Sequence, residues 1–229
     1  MSLHNSFGRR LAAVTCLSLA LLSTASSQLP RQSSEVPYDQ DFGPPFEVMA
    51  LNYRYPSSYD SMKDIDFRNL IAHIFDDQGK PEFTARLRNG SFERKLKSGL
   101  DSVSLDAVHQ LPAMRPNTEY ELVLLTWFSA RGSSDTSGIA QVFELRDHFL
   151  TIKQQIDWDE HFVPDGPYVL FDEQSRTLTF RAAHYLPGDS HCCVSAADVV
   201  ALRWNGIHFG RMAVRTELSK YGKSAGKKI

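Results

Sequence analysis

The stretch ELVLLTWF at residues 121–128 decides the fold class of this chain. It is a near-continuous apolar run of strand length, the pattern that is typical of a β-strand buried on both faces. We therefore expect residues 121–128 to form a strand with packed structure on each side of it.

The residues after this run predict two β-hairpins. The first pairs residues 141–145 with 149–156, and the second pairs residues 168–171 with 177–182. Each pair of apolar or alternating runs is separated by a few polar residues, which favours an antiparallel connection.

Two Asn-Gly dipeptides predict further hairpins. Both residue types tolerate a positive φ, which a two-residue hairpin turn of type I′ requires. The predicted hairpins are centred on Asn89-Gly90, between residues 83–87 and 92–96, and on Asn205-Gly206, between residues 199–204 and 207–209.

The segment 65–76 is ambiguous. Its apolar residues have helical spacing, which favours a short helix, although a strand stays open as the alternative. The fold class expected is mainly β, built of antiparallel hairpins and sheets, with α+β including one short helix as the variant. Residues 47–216 are predicted to be a single domain, and a weak similarity between its halves leaves open a duplication near residue 115.

The two ends of the chain have compositions of their own. Residues 1–27 have a basic start, an apolar run at 11–22 and small residues after it, which predicts a secretory signal peptide and a periplasmic or secreted protein. Residues 28–46 are rich in Pro and Ser and predict a linker, and residues 217–229 predict a basic flexible tail.

Charge and hydropathy argue against nucleic-acid binding and against a membrane span after residue 28. The chain has 25 basic and 27 acidic side chains, a formal net charge of −2, so it lacks the basic excess of a nucleic-acid-binding protein. No apolar stretch after residue 28 is long enough to span a membrane. The partner is unknown, and an envelope component is the candidate for an exported protein.

The adjacent pair Cys192-Cys193 is the first candidate site. The other of the three cysteines, Cys16, falls inside the predicted signal peptide. Disulfides persist in oxidising compartments, and a bond between neighbouring cysteines would hold a kinked turn, although it would be strained. We favour this vicinal disulfide or structural turn, with no cofactor.

The same residues leave other chemistries open. Thiolate and imidazole bind Zn²⁺ or copper, and Cys192 and Cys193 lie beside His191, with Asp189 or His184 to complete a site. Adjacent cysteines in an extended chain point to opposite faces, so one metal ion would need a tight turn. A bridge to a second chain, a redox role and a nucleophilic cysteine are the remaining alternatives.

A polar loop after the long apolar run is the second candidate site. Its Gly and Ser amides, with Arg131, Ser133 and Ser134, could bind an anion or a sugar. Composition alone favours a flexible hairpin connection instead.

Residues 188–195, with the sequence GDSHCCVS, and residues 203–206, with the sequence RWNG, carry a resemblance. The pattern is similar to a Gly-Asp-x-His-Cys-Cys-x-Ser … Arg-Trp-x-Gly signature in exported bacterial β-rich proteins of unknown function. The similarity extends over residues 65–215, but residues 111–119 lack the Gly-Asp-x-x-Gly-Asp-Gly turn that those proteins often carry. The resemblance implies an exported β-rich protein and supplies no activity.

Taken together, these patterns favour an exported, non-enzymatic binding or structural domain with a Cys-Cys turn. A periplasmic metal- or redox-active protein that uses His191, Cys192 and Cys193 is the alternative, and a hydrolase is third.

Overall fold

The computed structural model describes residues 45–97, 99–129, 135–160, 163, 166, 168–190 and 194–219. These residues form antiparallel β-strands and two single-turn 3-10 helices, at Met62–Asp64 and Phe67–Asn69. The strands are β1 (Phe46–Ser58), β2 (Ile71–Phe75), β3 (Pro81–Arg86), β4 (Ser91–Leu96), β5 (Gly99–Leu111), β6 (Thr118–Ser129), β7 (Asp135–Arg146), β8 (Phe149–Asp159), β9 (Val169–Asp172), β10 (Thr177–His184), β11 (Ala196–Trp204) and β12 (Phe209–Leu218). The mainly β fold class expected from the sequence is confirmed.

The strands form three sheets that pack as layers. The central sheet has six strands in the order β1-β8-β7-β6-β5-β4, and the hairpin β2-β3 packs on one of its faces. The four-stranded sheet β12-β11-β10-β9 packs on the other face.

Strand β6 shows why the central sheet has two covered faces. Val123 and Leu125 belong to the apolar cluster under the β2-β3 hairpin, whereas Leu122 and Leu124 belong to the cluster that faces the four-stranded sheet. All four side chains are at most 4% exposed, because successive residues of a strand point to opposite faces. The prediction for residues 121–128 is confirmed.

Two adjacent glutamines of β8 attach the outer layers to the central sheet. The Gln154 side chain accepts a hydrogen bond from Phe209 N at 2.8 Å and donates one to Phe209 O at 2.9 Å. The Gln155 side chain accepts from Phe75 N at 3.3 Å and donates to Phe75 O at 2.9 Å. Each buried amide thus pairs with the main chain of one residue, on β12 and on β2 respectively, as a neighbouring strand would.

The two hairpins predicted after β6 are confirmed, and the segment 65–76 is a correction. Strands β7 and β8 pair with each other, as do β9 and β10. Residues 71–75 of the favoured helix instead form strand β2, preceded by the 3-10 turn at Phe67–Asn69. A shift in register between Ile74 and Phe75 leaves both of these residues buried. Buried residues of a regular strand alternate with exposed ones, so this consecutive apolar pair gave the segment a spacing that resembles a helix.

The dipeptide Asn89-Gly90 turns the chain but does not close the predicted hairpin. Both residues have positive φ, 54° and 87°, and Arg88 and Ser91 exchange main-chain hydrogen bonds across them. However, β3 pairs with β2 while β4 pairs with β5, so the turn carries the chain from one layer to another. The local geometry was predictable, whereas each of the two strands pairs with its other neighbour along the chain.

The second dipeptide does lie in a hairpin, between β11 and β12, but the turn is centred one residue later than predicted. Trp204 and Phe209 are the last paired residues, and Asn205 N donates to His208 O at 3.1 Å, so the turn is centred on Gly206-Ile207. Gly206 has φ 96°, whereas Asn205 acts through its side-chain oxygen, which accepts from Ile207 N and His208 N at 3.0 Å.

Candidate functional site

Most of the residues proposed from the sequence lie outside the described part of the chain. These are His191, Cys192 and Cys193 of the first candidate site and Arg131, Ser133 and Ser134 of the second. Of the five residues of the first site, the structure describes Asp189 and His184.

Asp189 closes the loop that contains the cysteines. Its main-chain N donates to Leu186 O at 2.9 Å, which forms a turn just after β10. Its carboxylate accepts hydrogen bonds from Leu186 N at 2.8 Å and Ser195 N at 2.9 Å, and from the Ser195 hydroxyl. The Asp189 carboxylate therefore bonds to residues on both sides of residues 191–193, as a capping side chain does.

His184 lies at the end of β10, on the face of the four-stranded sheet that points inward. Its Nδ1 is 3.0 Å from Asp198 Oδ1 on β11, and both residues are at most 5% exposed. Thr216, opposite Asp198 on β12, donates its hydroxyl to the same oxygen at 2.6 Å. A carboxylate beside Nδ1 fixes the orientation of an imidazole ring, as it does for catalytic and metal-binding histidines.

The described residues do not complete a metal site. Among residues 45–190 and 194–219, with their gaps, no three His, Cys, Asp or Glu side chains cluster closely enough to hold an ion. The alternative with Zn²⁺ or copper therefore depends on residues 191–193.

The structure presents a different candidate site, an open groove that sequence reasoning missed. It has a volume of about 690 Å³ and lies where β1, at the edge of the central sheet, meets β8 and the turn before β12. Because Gln154 fixes Phe209 against β8, the start of β12 stays beside β1. The groove is lined by Phe46, Val48, Ala50, Leu51, Lys153, Gln154, Ile207, His208, Phe209, Gly210 and Arg211.

The lining of the groove combines an apolar surface with basic side chains. Val48, on strand β1, is 44% exposed. The Arg211 guanidinium lies over the Phe46 ring, 4.9 Å from its centroid, and Lys153 donates from Nζ to Asn52 Oδ1 at 3.0 Å. His208 completes the basic set, and the described lining includes no Asp or Glu.

A buried carboxyl lies on the opposite face of the central sheet, under the β2-β3 hairpin. Burial raises the pKa of Asp157 to about 7, a hydrogen bond from Gln155 opposes that shift, and nearby Glu47 and Glu82 raise the pKa further. Gln155 in turn accepts from Gln141 Nε2 at 2.7 Å. This cluster joins the hairpin to the sheet and faces away from the groove.

Comparisons of the chain with protein-family models, with curated proteins and with solved structures found no match. The resemblance carried by residues 188–195 and 203–206 stays a prediction. In the part of the chain that the structure describes, no helix has the length and apolar character needed to cross a membrane.

Proposed function

We propose that this chain is an exported, non-enzymatic domain that binds a ligand in the groove between β1 and the start of β12. The observation that carries the proposal is the groove itself, an open concavity of about 690 Å³ with exposed Val48 in its lining. Small-molecule sites are typically apolar clefts of about 300–1,000 Å³ with a few polar groups. Export rests on the signal peptide predicted at residues 1–27.

Binding of the neutral fluorophore N-phenyl-1-naphthylamine tests the groove. The purified chain should increase the fluorescence of the probe, and Val48→Asp should abolish that increase because it places a charge in the apolar lining. Val108→Asp is the matched control, since Val108 on β5 is 39% exposed and lies outside the groove. Equal loss of probe binding in both variants, or in neither, would contradict the proposal.

We also propose that Cys192 and Cys193 form a vicinal disulfide that holds the loop after β10. The support is the Asp189 carboxylate, which bonds to Leu186 and Ser195 and so already holds both sides of this loop. Intact-mass measurement of protein that is thiol-blocked on lysis tests the bond. A mass lower by two hydrogen atoms with no blocked cysteine is expected, whereas two blocked thiols would rule the disulfide out.

The alternative function is a metal- or redox-active site that uses His191, Cys192 and Cys193. One observation favours it, because Asp198 lies 3.0 Å from Nδ1 of buried His184 near the same loop. Native mass spectrometry of protein purified without chelator separates the two functions. One stoichiometric metal ion that is lost in His191→Ala would support the alternative and displace the disulfide.

A further inference from the structure

We propose that the occupant of the groove is a small amphipathic anion, a carboxylate on a single aliphatic chain, with Arg211 as its anchor. This inference rests on the proposed binding function and specifies the ligand class. It combines two properties of one surface, the charge of its rim and the apolar character of its wall.

The charge of the rim selects an anion. Arg211 and Lys153 both line the groove, and its described lining includes no Asp or Glu. Lys153 is partly engaged, since its Nζ bonds to Asn52 and lies 4.0 Å from Glu144 Oε1. Arg211 instead lies over the Phe46 ring, a contact that uses none of the N–H donors with which a guanidinium binds a carboxylate.

The wall of the groove selects a ligand with an apolar body. Val48, Ala50 and Ile207 offer apolar surface that a purely polar anion would leave uncovered. Strand β1 is an edge strand, and its outer main-chain groups are natural partners for a peptide, so a peptide is the competing occupant that the test must separate.

Displacement of N-phenyl-1-naphthylamine by three matched compounds tests the inference. We expect dodecanoate to bind about tenfold more tightly than dodecan-1-ol, because a charge-assisted hydrogen bond to Arg211 is worth about one power of ten in affinity. Dodecyltrimethylammonium should bind more weakly than the alcohol. The preference for the acid should shrink as salt is added, since part of the lining is exposed.

Two variants on β12 locate the anchor. Arg211→Gln should weaken dodecanoate binding to the level of the alcohol while leaving the affinity for dodecan-1-ol unchanged. Arg215→Gln is the matched control, because Arg215 is 74% exposed, pairs with Glu217 and lies outside the groove. It should leave both affinities unchanged.

The outcomes distinguish failure of the anionic-ligand inference from failure of the proposed binding function. Equal affinity for acid and alcohol would overturn the anionic ligand and leave the binding groove intact, whereas failure of the probe and of all three compounds would overturn both. Tighter binding of an apolar peptide with a free C-terminus than of dodecanoate would also overturn the inference. So would a dimer in light scattering that Val48→Asp converts to monomer, because the groove would then be an interface between copies.

Discussion

The paired glutamines of β8 give the sharpest test of how the layers are held together. Gln154→Leu removes both hydrogen bonds to the Phe209 main chain, and Gln155→Leu removes both to the Phe75 main chain. Phe209 is 1% exposed and Phe75 is 2% exposed, so water has little access to replace the lost partners. Leucine is similar in volume, which keeps any cavity small.

The expected cost follows from the main-chain groups left unbonded. Each buried donor or acceptor without a partner costs about 1–3 kcal/mol, and each variant leaves two main-chain groups unbonded, so we expect a loss of roughly 2–6 kcal/mol. Gln155→Leu should cost at least as much as Gln154→Leu, because it also removes the bonds to Gln141 and Asp157. Urea unfolding at neutral pH measures the change in the free energy of unfolding. Gln110→Leu is the control, because Gln110 is an exposed glutamine of strand β5 and should change stability by less than about 0.5 kcal/mol.

Hydrogen exchange distinguishes the two glutamines. Gln155→Leu should reduce protection of the amides in β2 and β3, whereas Gln154→Leu should reduce protection at the start of β12 and weaken probe binding in the groove. The reasoning is refuted if either variant costs less than about 1 kcal/mol, or if both variants change protection in the same strands.

Three further predictions concern single residues. Because Asp157 binds its proton more tightly when folded, with a pKa of about 7 against an ordinary 3.8, stability should fall as pH rises from about 4 to 7. In Asp157→Asn, the urea concentration at the midpoint of unfolding should no longer decrease over this pH range. Gly138→Ala should cost about 1–3 kcal/mol or more by thermal unfolding, since the new Cβ would lie 2.1 Å from Trp158 Cε2. Asp189→Ala should cost about 1–3 kcal/mol and increase proteolysis between Leu186 and Ser195, whereas a metal ligand would affect stability only when metal is present.

Local sequence patterns predicted the elements of this fold better than their assembly. The apolar run in β6 and the alternation in β10 report burial directly, because side chains of a strand alternate between faces. The pairing of β1 with β8 joins Phe46 to Trp158, more than a hundred residues away, and no local pattern encodes it. Asn89-Gly90 failed for a different reason, since β3 and β4 each pair with their other neighbour along the chain, β2 and β5 respectively.

Sequence analysis missed the groove because no lining residue stands out in the sequence by itself. Val48 and Ala50 precede the hairpin signals, while Ile207 and Arg211 follow them, and only the tertiary fold brings the two sets together. One signal was available. Gln154 takes the place of an apolar residue in the alternating pattern of β8, and a buried amide in a sheet must find partners, so the pair Gln154-Gln155 marked the places where other layers attach.

The two candidate sites are far enough apart to be tested independently. The Asp189 loop joins β10 to Ala196, the first residue of β11, whereas the groove forms just beyond Trp204, the last residue of that strand. At about 3.3 Å per residue, the eight steps between these residues span about 26 Å. A disulfide in the loop can therefore act on the groove only by stabilising the four-stranded sheet as a whole. Reduction of the cysteines should lower the free energy of unfolding without changing ligand affinity below the unfolding transition, and a direct loss of affinity would show that the loop and the groove belong to one site.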